Sequence, residues 1–429
     1  MKIIFNAYRD IMRFLTYIKR DCSTACADRH TRVPGGSMGD FVIPCDAGGG
    51  PAGTHALVIG VGKYPHLAGG DAPVTESESD GMRQLSSPPV SARAFATWLL
   101  DKYNDPQKPL ASLSLLLSEE EPIPFSNPRT GVLHDVAVAT IDNIVEAVKQ
   151  WYDRGDSDLD NRLIFYFCGH GISQGDDMAL LAADLFADRY NPLNGALDFT
   201  ALMGGLKRCR ASEQLFFVDT CRSNSDVLIA KSGPQFAGRS PLGAGRRPLE
   251  FPRRLHIPYY ATLAGDRSYA RPGQASLFTE ALLKSLAGAA SDAPEGDWYI
   301  NTARLQEAIN HFMHQSQLAG AVAGVQVPSV GELPVFVLHR LPGAPVVPVY
   351  VGCEPAEDNA EAEFVCLENG LECRRRAAQD IDGENPECEW AIELAAGTYD
   401  FEAQLGTREV RRKSAVVYPV FRRVRLVKR

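Results

Sequence analysis

Along the middle of this chain, short apolar runs alternate with stretches of helical periodicity. That alternation constrains the fold more than any other feature. Residues 55–62 (HALVIGVG) form an apolar run closed by glycines, the pattern of a strand buried on both faces. Residues 91–103 then place Ala92, Phe95, Ala96, Leu99 and Leu100 on one helical face. Residues 113–117, 163–168, 214–218 and 257–263 read as further strands, and 140–152, 199–209 and 277–286 as helices. Strands separated by helices imply right-handed crossovers. The expected fold class is therefore α/β, a mainly parallel sheet with helices on both faces. In such sheets functional groups gather beyond the carboxyl ends of the strands. The places to look are after Val61, Cys168, Val218 and Leu263.

A chain of 429 residues is long enough for two domains. Residues 1–53 read as an N-terminal extension ending in a Gly/Pro-rich linker over 35–53, and residues 54–340 as the α/β domain. From 341 the pattern changes. Pro342, Pro345 and Pro348 mark a boundary, and extended runs follow at 346–351, 362–367, 390–394, 399–405 and 415–426, with a turn at Gly397-Thr398. This predicts a small all-β, sandwich-like domain over 341–429. In residues 1–20, Arg9, Asp10, Arg13 and Lys19 break up the apolar residues. A short amphipathic helix is expected there, with neither a membrane span nor a secretory signal. Contact with a membrane surface, or a native start at Met38, are the alternatives. With 53 acidic against 44 basic residues the net charge is −9, which argues against nucleic acid as a partner. Ten cysteines without tight spacing point to free thiols in a reducing, cytoplasmic setting.

Two motifs carry chemistry. Cys168-Gly-His-Gly171 follows the third strand and Asp219-Thr-Cys-Arg-Ser223 follows the fourth. Neighbouring parallel strands would bring His170 and Cys221 to the same end of the sheet. A thiol needs such an imidazole to become an efficient nucleophile. Gly169 and Gly171 suit a turn that a substrate approaches closely. The amides of Gly171 and Cys221 are candidate oxyanion donors.

Taken together, residues 56–64 (ALVIGVGKY), 165–171 (FYFCGHG) and 215–223 (LFFVDTCRS) resemble the caspase/metacaspase group of cysteine peptidases. Histidine about 50 residues before cysteine is also the caspase arrangement. Residues 276–283 are similar to the helix that opens the small-subunit region of that group, and the resemblance extends over roughly 54–340. It implies a cysteine endopeptidase acting on protein or peptide substrates, with Cys221 as nucleophile and His170 as its acid–base partner. Asp219 stands where metacaspases line the P1 pocket with a carboxylate, which implies cleavage after Arg or Lys. The second acidic residue of that pocket is missing at 90–92, and Asp266 is the expected substitute. Metacaspases often bind calcium. Asp176, Asp177 and Asp184 are the acidic residues in the corresponding region, but a hairpin turn accounts for them, and no cofactor is required.

Residues 232–254 carry Arg239, Arg246, Arg247, Arg253 and Arg254 in a Gly/Pro-rich stretch. By resemblance this is where self-cleavage would fall; a solvated basic loop is the alternative. The C-terminal β domain is a candidate surface for a protein partner. Cys353, Cys366, Cys373 and Cys388 lack zinc-site spacing, and His311 and His314 read as part of a polar helix face. Bacterial members of the group are associated with regulated cell death and phage defence, and the resemblance carries that expectation here. Two other readings stand beside the peptidase: a catalytically silent caspase-like scaffold, and the same fold with a non-basic P1 preference.

Overall fold

The computed structural model describes residues 32–33, 41–45, 52–222, 225–232, 238–243, 254–263, 271–318, 326–331, 333–380, 388–406 and 409–428. The expected N-terminal helix, Met38, Arg246, Arg247, Arg253 and Asp266 lie outside the described residues.

The first unit is built from β1 (Val42–Pro44), β2 (Thr54–Val61), β3 (Leu110–Ser118), β4 (Arg162–Cys168), β5 (Gly171–Gln174), β6 (Asp177–Leu181), β7 (Ala196–Asp198), β8 (Glu213–Asp219), β9 (Leu255–Tyr260) and β10 (Ser329–Val330). Seven of these form the central sheet, in the order β10-β9-β8-β4-β2-β3-β1. The five interior strands run parallel. Both edges, β1 on β3 and β10 on β9, are antiparallel. The expected α/β class is thus observed. It has two additions, both at the edges: β10, and β1, which arises inside the stretch read as a linker and buries Ile43 at its centre. Strand β9 ends at Tyr260 rather than Leu263, because its pairing with β8 stops at Val218 opposite Tyr260. The three-stranded sheet β5–β6–β7 is a meander beside the central one.

Successive strand residues face opposite sides of the sheet, so each side has its own core. Leu57, Ile59, Phe165, Phe167 and Phe216 pack with α2 (Ile141–Asp156) and α3 (Phe199–Leu206) on one side. Ala56, Val58, Ile164, Tyr166 and Phe217 pack with α1 (Ser87–Asp101), α5 (Leu277–Lys284) and α6 (Thr302–Leu318) on the other. The short helix α4 (Asp226–Ser232) follows β8. Local chemistry sets the helix starts: the side chains of Thr140, Asp198 and Ser276 each accept a first-turn amide. Among the described residues no helix is long and apolar enough to cross a membrane.

The C-terminal unit contains β11 (Val346–Glu354), β12 (Glu363–Glu368), β13 (Leu371–Arg376), β14 (Trp390–Ala395), β15 (Gly397–Leu405), β16 (Glu409–Val417) and β17 (Arg422–Val427). They form a three-stranded sheet, β14-β11-β17, and a four-stranded sheet, β13-β12-β15-β16. Val349, Val351, Phe364, Phe401 and Val424 share one core. The single run expected at 415–426 is two strands. Residues 418–421 leave the sheet to dock on the first unit: the Tyr418 hydroxyl bonds Asp292, and the Phe421 ring stacks on His311 with centroids 4.0 Å apart. His311 is therefore a docking residue. The turn falls at Ala396, one residue earlier than expected, because Gly397 and Thr398 already pair with β16. Strand β13 escapes sequence reading because Arg374, Arg375 and Arg376 mask its alternation.

At the amino-terminal end of the sheet Arg162 is nearly sealed from solvent. Its guanidinium reaches Asp105 at 2.8 Å, Glu213 at 2.7 Å and the Tyr103 hydroxyl at 2.6 Å. It also donates to the carbonyls of Val337 (2.7 Å) and Leu338 (3.0 Å), on a strand just before the C-terminal unit. Removing one partner strands the others in a dry site. Arg162→Met is expected to lower the unfolding free energy by about 3–5 kcal/mol in urea titrations, against a change under about 1 kcal/mol if the network were solvated.

Candidate active site

The site follows from one pairing. Strands β4 and β8 are adjacent and parallel, with Cys168 opposite Asp219. His170 and Cys221 each lie two residues beyond, so both leave the sheet at the same end. The two loops touch: the Gly169 amide donates to the Asp219 carbonyl at 3.4 Å. A β-carbon on Gly171 would lie 2.7 Å from the Thr220 hydroxyl and 3.0 Å from the Cys221 carbonyl. Only glycine permits that approach. Cys221 is half-buried, whereas Cys168 is fully covered. The structure thus brings His170, Gly171, Asp219 and Cys221 together.

The imidazole is held by backbone. His170 Nε2 lies 2.7 Å from the Arg83 carbonyl. A carbonyl can only accept, so Nε2 carries the proton and Nδ1 is left with its lone pair. Burial lowers the His170 pKa from its ordinary value, and the Arg83 bond works against that shift. Tyr64 packs beside the ring, with centroids 5.0 Å apart. Its buried hydroxyl lies within electrostatic reach of the Cys168 and Cys221 thiols, which reinforce the upward shift that burial gives the phenol.

Ladder alternation sets the direction of the Gly171 N–H. The Leu181 amide donates to the His170 carbonyl at 3.0 Å, so residues 170 and 181 are the bonded pair. Gly171 and Leu180 are then the non-bonded pair, and the Gly171 N–H points away from β6.

Asp219 is buried, and its carboxylate accepts from the Thr279 hydroxyl at 2.8 Å and from the Ser276 hydroxyl. Ser276 is also the N-cap of α5, so the carboxylate sits at a helix amino terminus, where negative charge is favoured. Ser91, within the stretch that lacks the second carboxylate, accepts from the Ser276 amide at 2.9 Å. Burial beside Asp219 raises the Cys168 thiol well above its ordinary range, which disfavours its thiolate.

The other sequence candidates fall elsewhere. Asp177 opens β6 and Asp176 is in the hairpin turn before it, while Asp184 accepts the first amide of α2 at 2.8 Å. Among the described residues no three His, Cys, Asp or Glu side chains converge on a point where an ion could sit. Arg239 pairs with Leu197 at the edge of β7 and contacts Asp142 at 2.8 Å. Arg254 is buried and donates to the Cys209 carbonyl at 2.6 Å. Ser91, Ser276, Thr279 and the Arg83 carbonyl were missed by sequence reasoning. Common hydroxyl residues and a peptide oxygen have no sequence signature.

A seven-stranded mixed sheet with this pair of loops at its carboxyl end is the caspase-like fold. Residues 54–330, more than half of the chain, match the caspase domain, and the chain belongs to that family of cysteine peptidases. It is also similar to the uncharacterized protein y4kE of Sinorhizobium fredii (strain NBRC 101917 / NGR234). The two are 29% identical over 222 residues, which is 51% of this chain and 62% of that protein. The chain thus spans less than two thirds of that relative's length. Among solved structures, protein GSU0716 from Geobacter sulfurreducens is similar with a TM-score of 0.38 and 13% identity, over 68% of this chain and 98% of that one. Caspase-1 from Spodoptera frugiperda is similar with a TM-score of 0.39 and 13% identity, over 70% and 99%.

The downward shift of His170 is shared by other covered imidazoles. Burial is the main cause of the lowering of His55, His256 and His339 to about 4. The unfolded chain, with histidines near 6.5, then binds more protons than the folded one between pH 4 and 6.5. Stability is therefore complete above about pH 6.5 and is lost as pH falls toward 4. The urea midpoint is expected to be lower at pH 4.5 than at pH 7; a midpoint at pH 4.5 equal to or above that at pH 7 contradicts this.

Proposed function

We propose that this chain is a cysteine endopeptidase in which Cys221 and His170 form the catalytic dyad. The observation that carries the reading is the pairing of β4 with β8, together with an imidazole whose protonated Nε2 is spent on a backbone carbonyl. The bare Nδ1 is then free to take the Cys221 proton as the sulfur attacks the scissile carbonyl. The same nitrogen returns that proton to the leaving amine, which gives an acyl-enzyme that water hydrolyses. The amides of Gly171 and Cys221 would hold the oxyanion. Burial favours the neutral imidazole, the form that can accept a proton.

The proposed P1 preference is for Arg or Lys. Asp219 supports it: a buried carboxylate two residues before Cys221, at the end of β8, favours a cationic side chain over an anionic one. Self-processing within residues 240–253 belongs to the same reading. Arg239 and Arg254 have structural work at the two ends of that stretch, so cleavage is proposed after Arg246, Arg247 or Arg253. The metacaspase-like character and a role in regulated cell death or phage defence are likewise proposed on the resemblance, and binding of a protein partner by the C-terminal unit is proposed on its being a separate all-β unit with its own core.

Cys221→Ala should abolish hydrolysis of Arg- and Lys-containing peptides while leaving the thermal unfolding curve in place, since the change removes little buried volume. Hydrolysis at the wild-type rate in that variant would dispose of the dyad, whereas a wild type that hydrolyses no peptide would favour the scaffold reading. A P1-diverse peptide library run beside it decides between basic and neutral P1. Incubation of the wild type is expected to yield fragments ending at Arg246, Arg247 or Arg253 that still co-elute, because Arg239 and Arg254 keep both new ends anchored. Equal fragmentation of Cys221→Ala would reject self-processing.

A further inference from the structure

Two side chains in front of the sheet, Tyr64 and Gln84, are hydrogen-bonded to the backbone around His170 and around the turn after β2. In the β5–β6 ladder His170 and Leu181 should exchange two backbone bonds. Only one is direct, from the Leu181 amide to the His170 carbonyl. In place of the other stands the Tyr64 hydroxyl, which accepts from the His170 amide at 2.9 Å and donates to the Leu181 carbonyl at 3.3 Å. Tyr64 is fully buried, and it lies three residues beyond the end of β2.

The second arm begins at Gln84. Its carboxamide oxygen accepts from the Tyr64 amide at 2.7 Å. Its nitrogen faces the carbonyls of Tyr64 (2.8 Å), Leu67 (3.3 Å) and Ala68 (3.2 Å). Next to it the Leu85 amide donates to the Gly62 carbonyl at 2.9 Å, and Arg83 forms a bridge with Ala68. A β-carbon on Gly62 would lie 2.4 Å from the Leu85 carbonyl, so this contact needs glycine. Peptide 83 is thereby pinned to the turn after β2, and the Arg83 carbonyl is aimed at His170 Nε2.

We propose that Tyr64 and Gln84 are positioning residues for His170, Tyr64 through the His170 peptide and Gln84 through the Arg83 carbonyl, and that together they fix the imidazole's orientation and tautomer. The proposal rests on the dyad reading. A merely structural role would lower stability and leave the thiol's reactivity toward pH unchanged; a positioning role changes that reactivity.

The test follows alkylation of Cys221 by iodoacetamide, read on its own peptide by mass spectrometry, from pH 5 to 10, in wild type, His170→Ala, Tyr64→Phe and Gln84→Ala. Wild type is expected to exceed His170→Ala at pH 7 by about tenfold or more. Tyr64→Phe and Gln84→Ala are each expected to fall about tenfold toward His170→Ala at that pH, with all four converging by about pH 10, where the thiol ionises unaided. In peptide hydrolysis the loss should appear in kcat, with KM held within about twofold. Tyr64→Phe keeps the ring that fills the core, so it reports even if Gln84→Ala does not fold. Wild-type alkylation profiles in both variants overturn the positioning role and leave the dyad standing, and a wild-type profile in one removes that arm. If wild type and His170→Ala coincide, the dyad itself fails and the positioning role with it.

Discussion

The parallel pairing of β4 with β8 is the constraint on which the rest of the first unit depends. It sets Cys168 opposite Asp219, and from that register the positions of His170, Gly171 and Cys221 follow within two residues. A slip of one residue would turn each strand's inward set outward, so the two cores guard the register of the site. Phe165, Phe167 and Phe216 pack on one side of these strands and Ile164, Tyr166 and Phe217 on the other. The apolar runs that stabilise the fold are therefore the same residues that align the loops carrying His170 and Cys221. The opposite end of the strands is fixed by charge: Arg162 at the start of β4 ties together β8, the turn after α1 and the strand that leads to the C-terminal unit.

Polar groups near the site are organised in two layers with different work. In the outer layer burial favours the neutral form of the His170 imidazole, and its Nε2 faces a peptide carbonyl. In the inner layer the Asp219 carboxylate rests among hydroxyls at the start of α5. A charge is tolerated there because a helix amino terminus and directed O–H groups stand in for water. The same environment disfavours the thiolate of Cys168.

The C-terminal unit has its own core and is joined to the first by Tyr418, Pro419 and Phe421, which meet Asp292, Arg304 and His311. These three contact residues belong to α6 and to the segment just before it, whereas the site is made from β2, β4, β8 and α5. The unit therefore docks on α6 and the stretch that precedes it.

The sequence by itself determined the α/β order, because buried strands and amphipathic helices differ in the period of their apolar residues, and each period is a local property. It also exposed the His–Cys pair, since Cys168-Gly-His-Gly171 and Asp219-Thr-Cys-Arg-Ser223 stand at strand ends where such a sheet displays function. Local pattern failed where a strand carried its identity in pairing alone. Val42–Pro44 is hidden in a Gly/Pro-rich stretch, Leu371–Arg376 is masked by arginines, and the run at 415–426 is split by residues that turn away to dock. Only the tertiary structure decided which nitrogen of His170 faces a carbonyl, what surrounds Asp219, and that Tyr64 reaches the His170 peptide while Gln84 holds the turn that carries Tyr64. The physical reason is that these are contacts between segments far apart in the chain, made through peptide carbonyls and common hydroxyls. Any residue can supply such a carbonyl, so the sequence leaves no mark of it.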